Sequence, residues 1–231
     1  MFRAIALVSL IVVGCSDNND ATTIAHTFLA TTNPDTRPSD LRPKDGVTFF
    51  PPSFSEPSVR CGFMGRRWNI INDVENDWYP SHLMAADEAS LYAKALTARA
   101  AGDWTLRFTW LRSFHPSVVI RIDGDSNGAH LLAKELSGAG GYDAGGIVKS
   151  VSRRLTKDEK RTLGTELIRT KPFNLPPKVC DIGADGAQWI IEGVDDNGYH
   201  FVARWSPKRG GVHDLGMHLL HLTGWNFDEI Y

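Results

Sequence analysis

Asp214, His218 and His221 stand at i, i+4 and i+7. On a helix that spacing puts one carboxylate and two imidazoles on the same side, where they could converge on a divalent cation. No fourth ligand is indicated, and no Glu stands between two histidines as in a His-Glu-x-x-His zinc helix, so a solvated polar face is the plainer reading. Asp123, Asp125, Asn127 and Gly128 copy the first half of a calcium loop, but its twelfth position falls on Lys134, a cation, which favours an ordinary turn. The glycine-rich run from Gly138 to Gly146 offers backbone amides to an anion. It lacks the Gly-Lys-Ser/Thr ending of a phosphate loop and reads as a mobile hairpin tip. Glu192, His200 and Arg204 form a fourth constellation, a candidate polar patch for catalysis or binding, or else an ordinary exposed or covered sheet face. There is no Gly-x-Ser-x-Gly elbow and no Ser-x-x-Lys, so no catalytic residue is assigned and no cofactor is expected. Paired carboxylates brought together only by the fold would leave no such local signature.

The elements that must position these residues can be read from periodicity. Leu91, Tyr92, Ala95 and Leu96 predict a helix from about Asp87 to Ala101, stopped by Gly102. From Trp104 to Trp110 apolar residues alternate with Thr and Arg, giving a strand with one buried face and one Thr/Arg face. Val118–Ile122, Ala129–Leu136 and Ile147–Leu155 predict three more strands joined by hairpins. Thr156 and Glu159 have capping-box spacing and open a helix over about Lys157–Thr170, and a last helix spans about Val212–Thr223 with Gly224 as its stop.

The final hairpin is assigned a register. With Asp196-Asn197-Gly198 as a three-residue loop, Trp189 faces Trp205, Ile191 faces Ala203 and Gly193 faces Phe201, whereas a one-residue slip would set Trp189 opposite Arg204. In the favoured register Glu192, His200 and Arg204 share the face opposite the tryptophans. Together these elements predict an α+β domain: an antiparallel sheet of about six strands with two or three helices mostly on one face.

Cys61 and Cys180 are predicted to pair, two separate buried thiols being the alternative. A cross-link over more than a hundred residues has a chain-entropy ceiling on the order of 4–5 kcal/mol. Formal net charge is −2 over 231 residues. A chain so nearly neutral has no field to draw it to nucleic acid, and that partner is set aside.

At the N-terminus, Arg3 precedes an apolar run from Ala4 to Val13, followed by Gly14-Cys15 and a polar stretch from Ser16 to Asp20. The run is too short to span a bilayer. Val12-Val13-Gly14-Cys15 resembles the lipobox of bacterial lipoprotein precursors. That resemblance implies a signal peptide over 1–14, cleavage before Cys15 and lipidation of Cys15. Ser16, where Asp would signal retention in the inner membrane, directs the protein to the outer membrane, on its periplasmic face. The alternatives are an ordinary secretory signal or an uncleaved anchor. Residues 15–58 are rich in Asn, Asp, Thr, Ser and Pro and read as a polar tether, with Phe49, Phe50 and Phe54 able to pack onto the domain; residues 59–231 form the single domain. An oxidising periplasm also favours the disulfide.

Asp185-Gly186-Ala187-Gln188-Trp189 and Trp205-Ser206-Pro207 resemble segments of uncharacterised bacterial envelope proteins, for which the resemblance implies no activity. The functional expectation is a lipid-anchored envelope module that binds another component, a protein, with an inhibitor or immunity protein as a narrower version. The alternative is an envelope hydrolase or metal-dependent enzyme.

Overall fold

The computed structural model describes residues 48–62, 65–97, 100–181 and 183–231. Cys15, the expected signal segment and the expected tether up to residue 47 lie outside these residues. Among the described residues no helix is long and apolar enough to cross a membrane.

Alternation from Trp104 onward produces the expected meander: β3 (Trp104–Arg112), β4 (Pro116–Gly124), β5 (Ala129–Ala139) and β6 (Ile147–Arg154). It is preceded by a small hairpin, β1 (Pro57–Cys61) and β2 (Arg66–Asn69), and by α1 (Asp73–Ala85) and α2 (Leu91–Ala95). After β6 the chain runs through α3 (Lys157–Thr170), returns as β7 (Ala187–Asp195) and β8 (Gly198–Trp205), and ends in α4 (Gly211–Leu222). β7 pairs with β3, giving one six-stranded antiparallel sheet in the order β6-β5-β4-β3-β7-β8. The fold is α+β, as the sequence indicates. Four helices flank the sheet, two on each face where most were expected on one.

On the first face Phe108, Trp110, Trp189 and Ile191 pack against Leu163 of α3 and Leu215 and Leu219 of α4. The α3 start is the anticipated capping box, with Thr156 accepting from the Glu159 amide and Glu159 reaching back to the Thr156 amide. Trp110 and Trp189 are fully buried, and both indole N–H groups donate to the backbone oxygen of Tyr231, at 3.2 and 2.8 Å.

On the second face Leu111, Val119, Ile190 and Phe201 pack against Tyr79 and Leu83 of α1 and against Phe49 and Phe50. Phe49 and Phe50 thus pack onto the domain, as their place in the sequence allowed. Ser90 Oγ fastens that segment by donating to the Thr48 carbonyl at 2.9 Å. No apolar period announced α1. Its interior carries Pro80, and only Tyr79, Pro80, His82 and Leu83 are buried. An Asn72–Glu75 capping box and tertiary packing hold it. The helix expected over 87–101 shrinks to α2. Asp87 has φ 52°, which no helix start tolerates, and Ser90 is the cap that accepts from the Ala93 amide.

The Thr/Arg face of β3 is thus interior. Glu192, Arg107 and Arg121 lie side by side across β7, β3 and β4. Arg107 Nε donates to Glu192 Oε2 at 2.9 Å, its Nη2 lies 2.7 Å from the same oxygen, and its Nη1 donates to the Ala89 carbonyl at 2.6 Å. Glu88, swung under the sheet by the left-handed Asp87, meets Arg121 at 2.7 Å and Lys134 at 3.0 Å. Lys134 Nζ also donates to the Ala86 carbonyl at 2.5 Å. Charges that looked like a solvent face are the clasp that holds the α1–α2 connection on the sheet.

The last hairpin has the register that the sequence argument rejected. Trp189 is opposite Arg204, Ile190 opposite Ala203 and Glu192 opposite Phe201, around a two-residue turn at Asp196-Asn197. The argument assumed one apolar face. Both faces of β7 and β8 are covered, so Val202 joins Ile191 on one side while Phe201 and Ala203 join Ile190 on the other. Alternation cannot choose a register for a strand buried on both faces.

Candidate functional site

The first half of α1 forms one wall of an open groove of about 1110 Å3. Trp68 of β2, Trp205 of β8 and Tyr142 of the glycine-rich loop complete its aromatic lining with Trp78. Four carboxylates, Asp73, Glu75, Asp77 and Asp181, line it against a single cation, Lys178.

Its frame is fastened at several points. Lys178 Nζ sits 2.6 and 2.7 Å from the two oxygens of Glu75, and the Tyr79 hydroxyl donates to Glu75 Oε1 at 3.0 Å. Burial, and then the neighbouring Glu75 charge, push the Tyr79 pKa well above that of a free phenol, so it stays a donor. Asp181 Oδ2 accepts from the Trp205 amide at 2.8 Å. Between Lys178 and Asp181, Cys180 is joined to Cys61, which ties this wall to β1 and realises the expected disulfide. The glycine-rich loop is docked, contrary to its reading as a mobile tip. Trp78 Nε1 donates to the Gly140 carbonyl at 2.5 Å, and the Gly140 amide donates to the His115 carbonyl at 3.0 Å. Glycine is needed there, since a Cβ on Gly140 would stand 2.7 Å from Arg112 backbone atoms. Apolar side chains remain in water at this place: Val74 and Tyr142 are each 74% exposed, and Phe114, 55% exposed, packs against Tyr142 at 6.3 Å between ring centroids.

Behind the groove wall, His82 is buried, with Nδ1 3.0 Å from the Trp78 carbonyl and Nε2 without a hydrogen-bond partner. Burial lowers its pKa below 6.5, against smaller opposing effects of the Trp78 carbonyl and Asp143. His218 shifts the same way, again through burial first. Because the unfolded chain binds these protons more readily, stability falls as pH drops below about 6.5 and levels off under the folded pKa. His82→Gln should flatten this acid slope by up to about 1 kcal/mol per pH unit, read as urea midpoints between neutral pH and mildly acid pH. An unchanged slope would assign the effect elsewhere.

The constellations singled out in the sequence lie away from the groove. Asp214 binds Arg169 at 2.9 Å through Oδ2 and His213 at 3.0 Å through Oδ1, and both partners hold its pKa down. His218 and His221 line a different recess with Glu159. Among the described residues no group of three or more His, Cys, Asp or Glu is placed to hold a metal ion. The Asp123–Gly128 segment is a turn in which Asp125 Oδ1 accepts from the Asn127 and Gly128 amides at 2.7 and 2.8 Å. Glu192, His200 and Arg204 do not form one patch. In the observed register Glu192 belongs to the buried clasp, whereas His200 and Arg204 pair with Gly193 and Trp189 on the other face. The groove residues carried one sequence signal, the dense acidic and aromatic run Asp73-Val74-Glu75-Asn76-Asp77-Trp78-Tyr79. No protein-family model matches the chain, and no curated protein matches its sequence.

Proposed function

We propose that this protein is a non-enzymatic binding module of the bacterial envelope, held by lipid on Cys15 at the periplasmic face of the outer membrane, and that its groove captures a protein partner. The observation that carries the reading is the concentration of exposed Val74, Tyr142 and Phe114 at an acidic, aromatic groove. Apolar side chains left in water beside a concavity mark interaction surfaces, and aromatic residues dominate the energetics of such surfaces. Four carboxylates against one lysine select a basic segment of the partner and speed its approach at low salt.

The test is a photo-crosslinking residue at Tyr142 in the full-length protein in cells, compared with the same residue at Val148 on β6. One discrete protein adduct is expected at Tyr142 and none at Val148. Asp77→Lys should reduce the adduct about ten-fold, as should raised salt in extracts. Equal patterns at the two positions would refute the groove as the binding surface.

A further inference from the structure

A second concavity, sharing no residue with the groove, lies on the first face between α3 and the sheet. Its volume is about 540 Å3. One wall is a stripe of α3, Leu163, Gly164 and Leu167, and the other is Trp104 and Leu106 of β3, with Phe173 closing one end. Two glycines set its width. A Cβ on Gly193 would strike the Phe173 ring at 2.6 Å. A Cβ on Gly164 would meet nothing within 4 Å, although alanine is the better helix former at such a position. Glycine in mid-helix leaves open a volume that the protein itself does not fill.

Both ends of the stripe are cationic. Lys160 and Lys171 are eleven residues apart, about 16 Å along the helix. Lys160 Nζ already donates to the Asp125 carbonyl at 2.8 Å, whereas Lys171, the left-handed C-cap, is exposed. On the sheet side His200 stacks on Phe173 at 4.9 Å, with Nε2 2.9 Å from Asp195, so the carboxylate facing the cleft is itself paired.

We propose that this cleft binds a single-chain amphipathic carboxylate, a medium-chain fatty acid, with its chain along Gly164, Leu167 and Trp104 and its headgroup on Lys171. Apolar walls take the chain, a lysine at the mouth takes the charge, and the length suits one extended chain. The same chemistry exists in bilayer lipids, but a cleft of this size admits one chain and selects the free acid.

The experiment is calorimetric titration of the full chain with laurate below its micelle concentration, with lauryl alcohol and phosphatidylglycerol vesicles as separate arms. Saturable one-to-one binding of laurate is expected. Gly164→Leu, which places a side chain in the cleft, should weaken it about ten-fold or more while keeping the helical circular dichroism and an unfolding midpoint at least as high as that of the unaltered protein. Lys171→Gln, an exposed change, should weaken it about three-fold, and lauryl alcohol should bind as weakly as laurate does to that variant. Absence of saturable laurate binding, equal binding by Gly164→Leu and the unaltered protein, equal binding of the alcohol, or binding to vesicles alone would each overturn the proposal. Capture of the groove's protein partner is scored separately and does not depend on it.

Discussion

Arg107→Ala should lower the unfolding free energy by about 3–5 kcal/mol, measured by urea denaturation at neutral pH. Arg107 is wholly buried and is the cation that Glu192 meets, through Nε at 2.9 Å and Nη2 at 2.7 Å. Removing it leaves a carboxylate inside the protein with only the Tyr199 hydroxyl, at 2.9 Å, as a close donor. Glu88 retains Arg121 and Lys134, so the damage centres on Glu192. Arg107→Ala combined with Glu192→Gln should recover part of the loss at neutral pH. A loss under about 1 kcal/mol would mean that water reaches the clasp.

The second large effect is expected from the disulfide. Cys61→Ser with Cys180→Ser should cost about 2–4 kcal/mol, below the chain-entropy ceiling of about 4.7 for a loop of this size. The two cysteines are 119 residues apart, and the bond joins the small β1–β2 hairpin to the groove wall at Lys178 and Asp181. Capture of the proposed partner should therefore fall together with the urea midpoint. A variant that keeps its midpoint but loses capture would confine the bond's role to the groove wall; one that keeps both would show the bond to be idle.

Much of the sheet was legible because β3 alternates, β4, β5 and β6 are separated by Asp-, Asn- or Gly-rich hairpins, and α3 and α4 carry caps and stripes. What escaped was most of the second face, where only the stripe of α2 and the packing of Phe49 and Phe50 were anticipated. Thr105, Arg107 and Thr109 look like a solvent face, because sequence shows the charge on Arg107 but not Glu88, which folds over it from the α1–α2 connection. The same hidden layer explains the misassigned β7–β8 register, since Phe201 and Ala203 are as buried as Val202. The candidate site was less legible still. Trp68, Trp78, Tyr142, Asp181 and Trp205 come from five separate parts of the chain and share no spacing, so only the α1 run of acids and aromatics showed in the sequence. The motifs that did stand out, Asp214 with its two histidines and Asp123 to Gly128, are explained by local ion pairs and turn bonds.

Trp110 lies on the central strand β3, yet its indole hydrogen bond is completed by Tyr231, 121 positions later. A chain synthesised from its N-terminus delivers that acceptor after all the described strands. Until it arrives, two buried indoles lack this acceptor, so the centre of the first face stays open to water. The core of the first face is thereby completed only when the residues near 231 join the sheet, so the two central tryptophans of the fold are locked by one of its latest segments.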